Sequence, residues 1–114
     1  MSQPIESALI QAHNRLAHAS HDGPIWSASS EQLNVNLIRL SAGQAIVPHI
    51  NADLDVLIVV IAGVGRLTLD QNEQPMRAGD LILIPHGTLR GIVSVDGVLA
   101  YLSCHRRRAG LMPT

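Results

Sequence analysis

The spacing of apolar and polar positions changes character at about residue 33. Before it, Ile5, Leu9, Ala12 and Leu16 recur at close to helical spacing. That spacing predicts a helix over Ile5 to Leu16, with Ser2 as cap and Pro4 in the first turn. Asp22-Gly23-Pro24 breaks it. After residue 33 the pattern is that of short strands. Val35 to Leu40 reads as a strand that turns at Ser41-Ala42-Gly43, and Gln44 to Pro48 as a short extended piece. Leu54 to Ile61 is a solid aliphatic run that Gly63-Val64-Gly65 ends. Arg66 to Leu69 alternates, and Asp70 to Glu73 makes a polar hairpin turn. Leu81 to Ile84 is again continuously apolar. Pro85-His86-Gly87 turns, Gly91 to Val95 extends, Asp96-Gly97 turns, and Val98 to Cys104 is the last strand. Short strands with turn signals and no intervening helices predict an antiparallel sandwich or barrel.

Two of these strands do not alternate. In an antiparallel sheet one face normally meets water. Strands apolar on both sides predict that the outer face of Leu54 to Ile61 or its neighbours meets more protein, either a second sheet or a partner chain. Composition sharpens that expectation. Only 15% of the residues are charged, against about 25% in an average domain. Too few charges remain to cover a monomer comfortably, so a homodimer is expected. The 114 residues suit one domain, divided here as an N-terminal segment 1–32 packing on the barrel, a barrel over 33–105 and a tail over 106–114. Trp26 and Tyr101 are the only large rings, so the core is aliphatic.

Charge excludes some functions. The net charge is −1 with histidine neutral, which gives no bias toward nucleic acid or acidic membranes. Two aromatics do not make a base-stacking platform. The longest apolar run, Val56 to Val64, falls far short of the ~20 residues a membrane span needs. Cys104 is the single cysteine, which rules out an internal disulfide or a cysteine zinc cluster. With no basic and apolar leader pattern at the N-terminus, the expected location is cytoplasmic.

The glycines and prolines of the strand region then fall into a known frame. Gly43, five residues, His49-Ile50-Asn51, Val56 and Gly63 follow the spacing of the first cupin motif, Gly-X5-His-X-His-X(3,4)-Glu-X6-Gly. Gly79, five residues, Pro85-His86-Gly87, Thr88-Leu89 and Arg90 follow the second, Gly-X5-Pro-X-Gly-X2-His. The chain therefore resembles the cupin family over about residues 33 to 104. The resemblance implies an all-β, RmlC-like jelly roll: an antiparallel double-stranded β-helix with a short N-terminal helical or irregular segment.

It also implies where a site would lie. Cupins usually hold a divalent metal through three histidines and a glutamate, a donor set that suits iron, manganese, nickel or zinc. Only His49 remains of the four positions. The second histidine is Asn51, the glutamate is Val56 and the last histidine is Arg90. Valine cannot ligate, and arginine stays protonated with no acceptor. No resident metal or other cofactor is therefore expected at the motif. Asp55 is one residue from the glutamate position and would point to the other face of a regular strand. Arg90 has two readings. It is either structural, paired internally with Asp53 or Asp55 or snorkelling to the barrel mouth, or it anchors an organic anion through the guanidinium fork. His49 is either a general base or donor, or a histidine satisfied by Asn51 or a backbone carbonyl. The last strand puts Leu99, Tyr101, Ser103 and His105 on one face. If that face lines the cavity, Tyr101 and His105 join His49, Asn51 and Arg90 as ligand contacts. Cys104 is then a small buried residue.

The remaining histidines and arginines carry less. His13, His18 and His21 do not repeat on one helical face and read as surface residues, as does His86 in its turn. Arg106 to Arg108 reads as a solvated tail. Three functions remain open. One is a cupin that binds a small organic ligand, an anion included, in the barrel without the usual metal. Another is a metal-dependent enzyme of dioxygenase or isomerase type, using a non-standard set drawn from His49, Asp53, Asp55 and His105. The third is a structural or regulatory module with no ligand.

Overall fold

The computed structural model describes residues 9–107. In chain order it contains α1 (Ala12–Ala17), β1 (Gly23–Ser29), β2 (Leu33–Leu40), β3 (Ala45–Ile50), β4 (Val56–Leu69), β5 (Asn72–Arg77), β6 (Leu81–Ile84) and β7 (Leu89–Arg106). The fold is an antiparallel β jelly roll. No helix among the described residues is long and apolar enough to cross a membrane.

The two longest strands organise everything else. β4 and β7 run antiparallel from Val56↔His105 to Leu69↔Arg90, with register shifts between Val60 and Gly65. On either side of those shifts the chain builds a different sheet. The first half of β4 lies between β6 and the second half of β7, which carries β2 and then β1. The second half of β4 lies between β5 and the first half of β7, which carries β3. The inner faces of both halves meet in one core. Leu40, Val56, Ile58, Val60, Ile84, Leu99 and Tyr101 come from one half, and Leu67, Met76 and Ile92 from the other. Burying each of these side chains contributes on the order of 1.5–3 kcal/mol, an aliphatic core with a single tyrosine in it.

The segments expected as turns at Gly63-Val64-Gly65 and Asp96-Gly97 are bends inside continuous strands. Gly63 sits at φ 84 and Gly97 at φ 68, values open to glycine without steric cost. The strands bulge and fold over instead of stopping, because both partners bend together and their ladder survives. Strands also form where none was expected. β5 covers Asn72–Arg77 and takes in two residues of the expected Asp70 to Glu73 turn. β1 extends β2 from Gly23↔Arg39 to Ser29↔Asn34, and its Pro24 is tolerated because β1 is an edge.

The helix is shorter than its spacing predicted. Within the described residues it spans Ala12–Ala17, begins after Gln11 in an extended conformation and buries no residue. The proposed cap Ser2, with Pro4 and Ile5, lies outside the described residues.

A carboxylate fastens the start of β1 to the end of β2. Asp22 Oδ1 accepts from Ser41 Oγ at 2.8 Å, Ser41 N at 2.9 Å and Arg39 Nη1 at 2.9 Å. The Ser41 hydroxyl does most to lower the Asp22 pKa below its ordinary 3.8, aided by the Ser41 amide and Arg39 against a partial desolvation cost. A carboxylate with a depressed folded pKa contributes stability that is present above the unfolded value and lost as pH falls through the folded one. Asp22→Asn is expected to flatten the acid limb of the stability curve below pH ~4. Urea midpoints measured from pH 6 downward check this; an acid limb identical to the wild type would contradict it.

Candidate functional site

Position 90 and position 49 meet through strand register. β3 pairs with the start of β7 so that His49 lies directly opposite Arg90 and Ile46 opposite Ile92. Directly opposed residues share a face, and Ile92 belongs to the core, so Arg90 starts from the inner face of its sheet. Arg90 Nε donates to His49 Nε2 at 3.3 Å, and Arg90 Nη2 lies 3.2 Å from the same nitrogen. His49 Nδ1 is 3.1 Å from the Val47 carbonyl. A carbonyl accepts only, so Nδ1 carries the proton and Nε2 presents its lone pair to the guanidinium. One imidazole nitrogen thus bridges a two-pronged donor.

The rest of the guanidinium is less well served. Nη1 is buried and has no hydrogen-bond partner among the described residues. No carboxylate pairs with Arg90 there either. Asp55 is engaged elsewhere: its Oδ1 accepts from His86 N at 2.8 Å and from His86 Nδ1 at 2.9 Å. These two bonds, the backbone one first, hold the Asp55 carboxyl below its usual range. Neither the Arg90–Asp55 nor the Arg90–Asp53 pair considered from sequence is among the ion pairs of the described residues. His86, read as an idle surface residue, is the partner Asp55 takes. Both are exposed, which is why the sequence pattern carried no sign of the pairing.

Tyr101 closes the inner side of this group. It is 4% exposed and part of the core. Burial pushes its hydroxyl up to about 12, while the charge of Arg90 pulls the other way. Arg90 in turn is lowered by burial, with Tyr101 opposing. The two side chains therefore act on one another, and Tyr101 is a neutral phenol at physiological pH. The open question about the last strand has an answer here. Val60 and Ile38 flank Tyr101 in the ladder, Ile58 and Asn36 flank Ser103, and Val56 and Asn34 flank His105. Val56, Ile58 and Val60 are core, so the Leu99, Tyr101, Ser103, His105 face looks inward.

The other candidates separate. Asn51 is spent on its own turn: its Oδ1 accepts from Asp53 N and Leu54 N, both at 3.1 Å, and its carbonyl accepts from Gly87 N at 2.8 Å. His105 is half-buried, with Nδ1 at 2.9 Å from the Arg106 carbonyl. Cys104 is half-buried on the outer face, where burial raises its thiol pKa. Arg107 is not merely solvated, because its Nη1 donates to the Ser30 carbonyl at 3.2 Å. Arg108 lies outside the described residues. Sequence reasoning missed Asn34 and Asn36: alternation with Val35 and Leu37 reads as an outward polar face, whereas the ladder pairs them with His105 and Ser103 on the inner face.

A metal of the usual cupin kind does not fit these residues. The four motif positions supply one imidazole, a turn-forming amide, a core valine and a guanidinium, and the guanidinium occupies the nitrogen a metal would need. Among the described residues no group of three or more His, Cys, Asp or Glu side chains is placed to hold a metal ion. Two surface hollows, of about 600 Å³ beside α1 and about 390 Å³ between β5 and β6, are not lined by Arg90, His49 or Tyr101.

The fold and this motif frame agree with what known proteins show. The cupin domain model matches residues 36–102. The chain belongs to the cupin family. Solved structures superpose on it well at low identity. A cupin-2 domain protein from Shewanella frigidimarina has a TM-score of 0.74 at 16% identity, over 91% of this chain and 100% of that one. A Bacillus halodurans protein has 0.74 at 19%, over 90% and 82%. An RmlC-like cupin with a double-stranded β-helix fold from Methanocaldococcus jannaschii has 0.63 at 22%, over 69% and 73%. No curated protein matches the chain in sequence.

Proposed function

We propose that this cupin binds a small organic acid at the barrel mouth, with Arg90 as its anchor in place of a metal. One observation carries the reading: a partly buried guanidinium has no carboxylate partner among the described residues and shares a single histidine nitrogen across two donors. Burying an arginine without an anion is costly. A site that keeps one gains where an anion arrives from outside. The Nε/Nη2 edge matches the two oxygens of a carboxylate, each taking one N–H where the imidazole now takes both. His49 is exposed, so it can yield the edge at little cost and be satisfied by water.

The test is a thermal-shift screen of small carboxylic acids and sugar phosphates. A ligand that binds only the folded state at ~100 times its dissociation constant adds about 2.7 kcal/mol. A shift with some acid that vanishes in Arg90→Met supports the reading. No shift with any of them overturns it.

The reading includes a second copy of the chain. On the outer face of the first sheet, Leu83 lies opposite Leu57 and Leu81 opposite Val59. Leu81 and Leu83 are 69% and 67% exposed. No charged side chain interrupts this block, and the chain has few charges elsewhere to keep copies apart. Isologous pairing is the commonest way such a face is closed. Light scattering is expected to give twice the chain mass, falling toward one chain mass in Leu81→Glu/Leu83→Glu; a monomer across all concentrations contradicts it.

A further inference from the structure

The mouth holds more than an anion anchor, and its other side suggests what kind of acid fits. β7 bends at Asp96 and Gly97. Arg90 stands six residues before Asp96, and Ser103 six residues after Gly97. Arg90 and Tyr101 act on one another across the fold, and Ser103 is the next residue on the Tyr101 face, ~7 Å further along the strand. Next to Ser103 in the ladder is Asn36, and the following pair on that face is His105 with Asn34. Nearer the bend the same face is apolar and closed: Leu40 is 3% exposed and Leu99 0%. At the mouth it turns polar and half-buried, with no charge among the four.

Their hydrogen-bond capacity is also set. Ser27 Oγ donates to Asn36 Oδ1 at 2.6 Å, which leaves the Asn36 amide hydrogens as donors. His105 Nδ1 is taken by the Arg106 carbonyl, so Nε2 remains an acceptor. A serine hydroxyl both donates and accepts. Beside them, Val56 and Ile58 belong to the closed core of the same face, 1% and 2% exposed. Neutral donors and acceptors in pairs complement hydroxyl groups on a carbon skeleton. An aliphatic tail would instead leave these polar groups without partners, at a cost of about 1–3 kcal/mol each where they are desolvated.

We infer that the ligand of this mouth is a polyhydroxylated carboxylic acid, its carboxylate on Arg90 and its hydroxyls on Ser103, Asn36 and His105. The inference rests on the anchor reading above and adds the class of the ligand body. Successive same-face positions are ~7 Å apart, a reach that a six-carbon acid covers.

Three probes of similar length separate the parts: gluconate has both features, hexanoate only the carboxylate, and sorbitol only the hydroxyls. Titration calorimetry on the full chain is expected to show gluconate binding at least tenfold tighter than hexanoate, and sorbitol weaker than gluconate. In Asn36→Ala/Ser103→Ala the gluconate affinity is expected to fall to that of hexanoate. Unchanged hexanoate binding there shows that the variant is folded with its anchor intact. Hexanoate equal to or tighter than gluconate in the wild type overturns the inference and leaves the anchor standing. A gluconate preference that survives in the double variant overturns it too. If neither acid binds, the anchor has failed and the inference falls with it.

Discussion

Replacing Arg90 with methionine is expected to stabilise the ligand-free protein while removing its response to acids. Methionine fills a similar volume with no polar atom and adapts to irregular gaps. It removes a buried Nη1 that has no acceptor, a defect of about 1–3 kcal/mol. What is lost is the pair of contacts to His49, an exposed imidazole that water can serve. A net gain of 1 kcal/mol raises the melting midpoint of a domain this size by roughly 4–8 °C. The internal ion-pair reading predicts the reverse sign, because stranding a buried carboxylate costs about 3–5 kcal/mol. Differential scanning calorimetry of both proteins without ligand decides the sign. A stability gain paired with loss of binding is the usual mark of a residue kept for function.

The second large effect is expected at the bend of β4. A Cβ on Gly63 would collide with the Val98 carbonyl and lie 2.8 Å from Leu99 Cα. Both are backbone atoms of the paired strand, so nothing flexible can yield. Gly63 also sits at φ 84, which costs a residue with a side chain about 1–2 kcal/mol. Gly63→Ala is therefore expected to destabilise by about 3 kcal/mol or more. Gly97→Ala is the matched control. It shares the left-handed backbone at φ 68 but meets nothing within 4 Å, so it should lose only the backbone part, about 1–2 kcal/mol. Urea denaturation of the pair measures the difference. Equal losses would mean that close packing of β4 on β7 does not set the bend.

These two positions also mark how far sequence reasoning reached. Strands such as Leu81–Ile84 and Val35–Leu40 were legible because side-chain alternation or its absence is local. The bends were not. Gly63-Val64-Gly65 has the composition of a turn, and only the partner strand bending alongside lets the ladder resume beyond the register shifts between Val60 and Gly65. β1 was hidden behind Pro24 and a weak apolar pattern, since its strand state comes from pairing with β2. The motif spacing brought His49 and Arg90 into one site across 41 residues of sequence. It could not show that the guanidinium would take the imidazole nitrogen, or that Asn51 would turn its amide back onto its own loop. The pairing of Asp55 with His86 depends on how the two loops lie at the mouth, which neither loop's sequence states.

Ligand binding here requires that the Arg90 fork hold a carboxylate. Calorimetric titration of gluconate into wild type, Arg90→Lys and Arg90→Met addresses this most directly. Lysine keeps the charge without the two-pronged edge. The expected result is saturable binding to the wild type, binding weakened at least tenfold in Arg90→Lys, and none in Arg90→Met. Equal affinity in all three proteins would contradict it.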